Sequence, residues 1–459
     1  MLAIWGVSIV RGLDVPLPRL DALELDWRVF AFLTTVAVLA SLIGSLLPSL
    51  RATRVESSDA LRSRRHGSDV DDRRLRSGLV IAEVALATVL TVGTGLLLHS
   101  FEALQEVDSG FATSGVLLAR VDLPPERYPM EQRQTGRFFE RLVERLESVP
   151  GVDSAASTMS SPFVGPGTQN EVAVETETDA DAFMPVRWRA VSPALFRTLG
   201  IPLHRGRSFD PMAQRVETVL SASVAARLWP GQDPIGQRIR WIHPSGPLFE
   251  VVGIVGEVQD LHIGEEPPPT VYVPQRVFNW SPMTVAVRSS MPLDTLIGPV
   301  KAAVAELDPL LAAPEMSTLA GQRSEALAGP LLGVRLLGVA SMIAVLLASI
   351  GIYGVVAYAV SQRRREMGVR FAMGARPDQL VRLMLKDGVL LVGLGVAGGM
   401  LISLGLVESM RAILYSTSPF DPAILGSAAF VLVVIGLLAS SVPALLAARV
   451  DPIKVLRQE

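Results

Sequence analysis

Long apolar runs separated by charged stretches dominate the pattern of this 459-residue chain. Four runs carry no charged side chain, and in a fifth, Ser77–Leu98, Glu83 is the single charge. The uncharged runs are Val29–Leu50, Leu336–Val360, Val389–Val407 and Ile424–Ala448. About 20 mostly apolar residues let a helix cross a bilayer, and soluble helices keep a polar face that these runs lack. We therefore predict membrane helices over 29–50, 77–100, 336–360, 384–407 and 424–448.

The first 28 residues do not match a complete membrane helix. Met1–Val10 is an apolar run that is too short to span a bilayer. It has neither a basic leader nor a small-residue cleavage site, so it does not resemble a signal peptide. We interpret 1–28 as the end of a membrane helix followed by a polar connection.

Arginine and lysine cluster in three stretches beside the predicted helices, namely 51–76, 361–383 and 449–459. Since basic residues near helix ends mark the cytoplasmic side, we place these stretches in the cytoplasm. The connection at the start and the long segment 101–335 then lie outside it, and five crossings alternate consistently. The expected location is the inner (cytoplasmic) membrane, with the lipid bilayer as a partner.

The segment 101–335 is long enough to fold as a domain of its own. Its β-branched runs predict strands, at 116–121, 249–258, 270–273 and 284–288. Apolar residues at helical spacing predict helices, at 130–149, 220–228 and 296–307. The acidic stretch 171–182 is expected to be an exposed loop. The chain therefore reads as an α+β membrane protein with polytopic transmembrane helices and a large extracytoplasmic α+β domain.

Composition excludes several classes of function. The absence of cysteine excludes a disulfide framework, a thiolate zinc site and a cysteine nucleophile, and a net charge of −3 argues against nucleic-acid binding. Lys301, Lys386 and Lys454 follow apolar residues, so the Gly-Lys-Ser/Thr of a phosphate-binding loop does not occur. The histidines show no ligand spacing, and no Gly-x-Ser-x-Gly motif is found. We predict no catalytic residue, no metal site and no cofactor bound by this chain.

An internal repeat links the two ends of the sequence. Pro48–Glu56 parallels Pro443–Asp451, and Leu61-Arg62 parallels Leu456-Arg457 at the same separation. Both copies follow a predicted membrane helix on the cytoplasmic side. The chain is thus expected to hold the end of one repeat followed by one whole repeat.

The cytoplasmic turn 361–383 carries a second motif. Arg-Arg-Arg-Glu-Met-Gly-Val-Arg begins at Arg363, and Met-Gly-Ala-Arg-Pro ends at Pro377. A positive-inside anchor explains the arginines, but it does not explain the glycines and the proline. This stretch resembles the coupling segment of the FtsX-like permeases, the group that includes MacB-type and lipoprotein-releasing ABC permeases.

The long outer segment strengthens this resemblance. Six short motifs are similar to MacB-like periplasmic core domains: Val191–Phe196, Leu199–Pro202, Gly206-Arg207, Trp229–Gly231, Asp233–Gly236 and Val251–Val255. Duplication within one chain resembles the duplicated orphan permeases of the family. Those have two complete repeats, so this chain is expected to be truncated at its N-terminal side.

The resemblance implies a function and a set of partners. Such a permease docks on a separate cytoplasmic ABC ATPase, which uses the ATP, and works as a homo- or heterodimer of permease units. The residues implied to contact the ATPase are Arg363, Arg364, Arg365, Glu366, Met367, Gly368, Arg370, Gly374, Ala375 and Pro377. ATP hydrolysis would drive movement of the extracytoplasmic domain, as mechanotransmission, export or extrusion of a substrate.

Glu83 is the one acid inside the five apolar runs. Intramembrane acids are candidates for function. Because Glu83 lies near the cytoplasmic end of its helix, Arg76 or a neighbouring helix is the alternative, structural explanation.

Two alternatives of other classes remain open from the sequence. The first is a signalling or scaffold membrane protein that regulates an extracytoplasmic partner without transport. The second is a truncated permease without function. The substrate is not encoded in any motif, since macrolides, lipoproteins, peptides and lipids are all compatible with a folded outer domain.

Overall fold

The computed structural model describes residues 68–129, 134–164, 168–176, 183–210, 212–241, 247–260, 263–277, 280–362, 377–410, 414–418 and 420–448, with a few single positions between 27 and 38. The chain divides into a sheet unit, Leu104–Gly329, and a membrane unit drawn from Met1–Ala103 and Pro330–Glu459. Several predicted segments lie outside the described residues: helix 29–50 apart from those single positions, most of 1–28, the linker 51–67, the first copy of the repeat and the tail 449–459.

The described residues form eight helices. They are α1 (Ser68–Glu106), α2 (Gln134–Glu147), α3 (Leu195–Leu199), α4 (Ala222–Leu228), α5 (Asp294–Leu307), α6 (Leu319–Gln362), α7 (Pro377–Met410) and α8 (Pro422–Ala448). By length and composition, α1, α6, α7 and α8 are able to cross a membrane. Each contains a run that the sequence pattern assigns to the membrane, and each extends beyond it.

The described part of the sheet unit contains eleven strands in one sheet. They are β1 (Val116–Val121), β2 (Val152–Thr158), β3 (Thr168–Val174), β4 (Met184–Val191), β5 (Leu203–Gly206), β6 (Glu217–Ser221), β7 (Arg238–Trp241), β8 (Leu248–Val255), β9 (Thr270–Pro274), β10 (Met283–Ser289) and β11 (Glu315–Thr318). The four predicted strands are confirmed as β1, β8, β9 and β10, although β8 ends three residues earlier than predicted.

Strands β11, β1, β10 and β2 form an antiparallel layer in that order. Because α2 connects β1 to β2 and α5 connects β10 to β11, the chain follows a split β-α-β-β-α-β path. Both helices bury their apolar stripes against this layer. Phe139, Leu142 and Leu146 of α2 pack there with Leu296 and Val300 of α5. The helical spacing of these residues is the pattern that predicted both helices.

Six of the seven remaining strands form a closed ring, and β5 pairs with β8 beside it. β4, β3, β7, β8, β6 and β9 follow one another, and β9 pairs back with β4 in parallel. The ring encloses a core in which the indoles of Trp188 and Trp241 meet edge to face, with centroids 5.8 Å apart. Trp241 also packs against Phe249. Thr158 of β2 pairs with Val191 of β4, which joins the ring to the antiparallel layer.

The prediction that 171–182 is an exposed loop is wrong for its first part. Residues up to Val174 belong to β3, which pairs with β4 on one side and with β7 on the other. Val172 and Ala173 are fully buried, and Val172 belongs to the ring core. Because acidic residues surround it, this short apolar sequence shows no strand pattern of its own. It is buried because it pairs with strands that are distant in the sequence. Residues 177–182 lie outside the described part.

The three helices predicted for the sheet unit exist with shifted ends. Of 130–149, α2 includes Gln134–Glu147. The helix predicted to begin at Leu220 begins at Ala222 instead, because Leu220 and Ser221 pair with β8 and complete β6. α5 begins at Asp294, two residues before the predicted start.

Candidate functional site

The coupling segment lies between the ends of two long helices. α6 ends at Gln362 and α7 begins at Pro377. Proline suits the first turn of a helix, since its missing N–H has no intrahelical partner there. Of the predicted contact residues, nine lie outside the described residues: Arg363, Arg364, Arg365, Glu366, Met367, Gly368, Arg370, Gly374 and Ala375. Their role stays a prediction.

Tyr358 connects α1 to the end of α6. The guanidinium carbon of Arg76 lies 4.5 Å from the centroid of the Tyr358 ring. The Tyr358 hydroxyl accepts a hydrogen bond of 2.8 Å from Nε2 of Gln362, the last residue of α6. The side chain of Tyr358 therefore contacts both α1 and the residue that precedes the coupling segment. The sequence pattern gave no sign of this role.

Glu83 points at α6. Its carboxylate lies against Gly351, so that a Cβ at this position would displace it. Arg76, the alternative partner considered from the sequence, lies on the Tyr358 ring instead. Of the two structural partners considered, the described residues therefore place α6, and not Arg76, beside Glu83. A functional role for this acid stays a prediction.

Polar side chains inside the apolar helices link α1 to other parts of the membrane unit. The hydroxyls of Thr91 in α1 and Ser341 in α6 are 2.9 Å apart and share a hydrogen bond. Ser100 of α1 accepts a 2.8 Å hydrogen bond from the backbone N–H of Tyr415, just before α8. Hydroxyls commonly join membrane helices in this way, but no pattern in the sequence marks these residues.

Glycines on α7 and α8 allow helices to pack closely. A Cβ at Gly399 would lie 2.5 Å from Cβ of Thr88, and one at Gly388 would lie 2.8 Å from Cβ of Ser440. A Cβ at Gly436 would lie 2.5 Å from Cγ2 of Val392. An added methyl group would clash at these distances, so the helices could not lie as close as they do. Small residues commonly line the interfaces of membrane helices for this reason. α7 therefore packs closely against both α1 and α8.

A small cavity lies beside these contacts, among α1, α6 and α7. Its volume is about 210 Å³, and apolar residues form most of its wall. Ser77 and Asp387 are its polar lining residues. Both belong to the ends of α1 and α7 that the sequence analysis placed towards the cytoplasm.

In the sheet unit, a buried ionic cluster lies on β4. Arg187 and Arg189 both pair with Asp260, at 3.1 and 3.0 Å. Arg189 and Asp260 are almost fully buried. Because removal of one partner would leave an uncompensated buried charge, this cluster fixes the segment after β8 to the ring.

A second depression in the sheet unit measures about 480 Å³. Glu140 and Glu144 of α2 line it on one side, and Phe209 and Arg276 line it elsewhere. Among the described residues, no group of three or more histidine, aspartate or glutamate side chains is placed to hold a metal ion.

Two family models match the chain. The MacB-like periplasmic core domain matches residues 77–303, and the FtsX-like permease C-terminal domain matches residues 338–452. Together they account for most of the chain in the order expected from the sequence motifs. The predicted α+β membrane architecture with a MacB-like domain is thereby confirmed.

Named relatives match in part. The macrolide export ATP-binding/permease protein MacB of Marinobacter nauticus is 23% identical over 83% of this chain and 57% of its own length. The pyoverdine export ATP-binding/permease protein PvdT of Pseudomonas entomophila is 35% identical over 27% of this chain and 19% of its own. The chain therefore matches about a fifth to just over half the length of these relatives.

Among solved structures, the periplasmic region of MacB from Actinobacillus actinomycetemcomitans aligns with a TM-score of 0.32 and 11% sequence identity. The alignment covers 47% of this chain and 94% of that one.

Proposed function

This chain belongs to the FtsX-like, MacB-like ABC transporter permeases, and we propose that it converts ATP hydrolysis by a separate cytoplasmic ATPase into movement of its extracytoplasmic domain. In this proposal ATP is bound and used by the partner subunit. The chain lies in the inner membrane, where two permease units form the working assembly. The result is export or extrusion of a substrate that is already outside the cytoplasm.

One observation carries the proposal. The two family matches occur in sequence order, and the second contains the whole turn between α6 and α7. A long helix therefore ends directly before the arginine-rich stretch, and another begins directly after it. A protein docked on this turn would act on the ends of both helices at once.

The charges of the turn support an ATPase contact. Arg363, Arg364 and Arg365 are followed by Glu366, so the segment offers both signs of charge to a cytoplasmic partner. Charged contacts of this kind set the register of an interface more than its affinity. We expect charge reversal to disturb productive docking first.

The proposal is tested by co-expression with a cytoplasmic ABC ATPase from the same genome. Arg364→Glu and Glu366→Arg are expected to lower both co-purification and the stimulation of ATPase activity by the permease. Arg64→Glu is the matched control, because Arg64 lies in the other predicted cytoplasmic stretch. Unchanged co-purification and stimulation in both test variants would show that the coupling assignment is wrong.

The same experiment separates the signalling alternative. A scaffold protein would bind an extracytoplasmic partner without responding to nucleotide in the cytoplasm. If the ATPase does not co-purify with the unmodified chain while a wall enzyme binds residues 101–335, the scaffold function replaces the transport function.

A further inference from the structure

α1 and α6 contact each other as an antiparallel pair. Three contacts mark their interface: Arg76 with Tyr358, Glu83 with Gly351, and Thr91 with Ser341. Residue numbers rise along α1 as they fall along α6. Leu337 continues the series, since its Cδ2 would lie 3.1 Å from a Cβ at Gly93. Displacement of one helix along the interface therefore has to shift or break contacts with the other.

The first contact is the one nearest to the coupling segment. Tyr358 is four residues before Gln362, where α6 ends, so its hydroxyl reaches the Gln362 side chain one turn further on. Its ring carries Arg76 on one face. An arginine over an aromatic ring is attracted by the negative face of the ring, and the attraction grows when water is excluded.

The chemistry of these groups suits the edge of a membrane. Tyrosine side chains favour the interface between lipid and water, because the ring is apolar and the hydroxyl is polar. Arginine combines a long apolar stem with a cation that stacks on aromatic rings. Arg76 and Tyr358 therefore hold the ends of α1 and α6 together without a buried ion pair.

We propose that Arg76 and Tyr358 form a relay that passes displacement of the end of α6, next to the coupling segment, to α1. This inference rests on the proposed function, since it requires an ATPase that moves the segment. Tyr358 and Gln362 belong to the same helix, so their hydrogen bond steadies the Tyr358 ring, and the ring holds Arg76. Arg76 and Tyr358 are positioning residues: they set the relation of two helices and touch no nucleotide.

The relay has a measurable consequence in labelled protein. Because the chain contains no cysteine, spin labels can be attached at Leu79→Cys in α1 and Leu445→Cys in α8. Both leucines are exposed in the membrane unit. When the relay residues are unchanged, the distance between the two labels is expected to change on addition of ATP to the complex of the labelled chain with the ATPase.

Four variants test the relay in this labelled background. Arg76→Gln and Tyr358→Leu remove the stacking and are expected to reduce ATPase stimulation by about three- to fivefold, with loss of the distance change. Arg76→Lys and Tyr358→Phe each keep a cation over a ring and should restore much of both signals. Tyr353→Leu is the control, since Tyr353 is an exposed tyrosine one turn earlier on α6.

Co-purification with the ATPase distinguishes the possible failures. The relay predicts that Arg76→Gln and Tyr358→Leu still bind the ATPase while they lose the distance change. If they keep the distance change and stimulation of the unmodified protein, the relay is overturned, while the proposed function stands. If Arg76→Lys and Tyr358→Phe fail as completely as the two disruptive variants, stacking is not the cause and the relay is also overturned. Absence of ATPase binding by the unmodified chain would overturn the proposed function and the relay together.

Discussion

The carboxylate of Glu83 in α1 lies directly against the backbone of Gly351 in α6. A Cβ at Gly351 would also approach Cγ2 of Val80 to 3.2 Å. The two helices therefore come close where the only acid of the predicted α1 span is located. An intramembrane acid is costly, and at this position the absence of a side chain on α6 leaves room for the carboxylate.

Replacing Gly351 with alanine is expected to displace the Glu83 carboxylate and to crowd Cγ2 of Val80, and so to destabilise the membrane unit by about 1 kcal/mol. Gly354→Ala is the matched control, because no atom lies within 4 Å of a Cβ there. Alanine favours a helix over glycine, so the control should be neutral or slightly more stable. Thermal unfolding of the purified chain in nanodiscs measures both. Equal melting temperatures for the two variants would contradict the close approach.

Gly399 and Gly398 offer a second comparison, this time on neighbouring positions of α7. A Cβ at Gly399 would lie 2.6 Å from the backbone oxygen of Ala85, whereas the space at Gly398 is open. We expect Gly399→Ala to loosen the contact of α7 with α1 and to lower the melting temperature. Gly398→Ala should leave it unchanged or raise it. The reverse order of melting temperatures would show that α7 does not pack on α1 at Gly399.

Arg207 is expected to stabilise the sheet unit through Glu217. The Arg207 guanidinium makes two hydrogen bonds to the nearly buried Glu217 carboxylate, at 2.6 and 3.1 Å. Arg207→Ala would leave this carboxylate without its main partner and cost about 2 kcal/mol. Arg215→Ala is the control, because its contact with Glu250 is more exposed. Denaturant unfolding of the whole chain in detergent measures the difference, and equal losses would contradict the assignment.

The pair of Arg207 and Glu217 also predicts that the stability of the sheet unit depends on pH. Burial alone would raise the pKa of Glu217, but hydrogen bonds from Arg207 and from the backbone N–H of Asp210 outweigh it and lower the pKa. The folded state thus favours the charged form. The stabilisation is present above the ordinary pKa of glutamate and is lost as the pH falls through the lowered value. In Arg207→Ala, unfolding should begin at a higher pH during acid titration.

Tyr128 and Asp308 form another coupled pair. The Tyr128 hydroxyl donates a 2.8 Å hydrogen bond to Asp308, and this bond, more than that from Arg127, lowers the pKa of Asp308. Burial, followed by the bond to Asp308, raises the pKa of Tyr128 to about 12. Subtracting the ultraviolet titration of Tyr128→Phe from that of the native chain should therefore isolate a phenol that ionises near pH 12. Ionisation near 10 would show that the bond is absent.

Stability should also fall in alkali because of this pair. A raised pKa means that the folded chain holds the Tyr128 proton more tightly than the unfolded chain does. The stabilisation is present below the ordinary pKa of tyrosine, near 10, and is lost as the pH rises towards 12. Tyr128→Phe should show a smaller loss of melting temperature over this interval than the native chain.

Much of the architecture follows from local patterns. Long apolar runs predicted the four described membrane helices. The spacing of Phe139, Leu142 and Leu146 predicted α2, because burial on one helix face leaves a period in the sequence. β2 and β3 were missed, since small or charged residues interrupt their apolar positions. Their burial comes from partners distant in sequence, as in the pairing of Thr158 with Val191.

The candidate site likewise has one part that the sequence predicts and another that it does not. The coupling motif is local, so the sequence alone could reveal it. The contacts that Tyr358 makes with Arg76, or Ser341 with Thr91, join residues more than 200 positions apart. No period or spacing within either helix records such a pair, because each residue is compatible with several neighbours. Glu83 was recognisable as unusual, but its contact with Gly351 depends on how two helices meet.

The closed ring of strands restricts how other proteins can bind there. Each of its six strands already has a hydrogen-bonded neighbour on both sides. Within the described residues, an incoming peptide therefore cannot pair with a strand of the ring itself, and main-chain pairing, the simplest sequence-independent mode of attachment, is confined to the short β5 beside β8. A protein that binds the ring therefore has to recognise side chains and turns. These can diverge among relatives while the ring itself is retained.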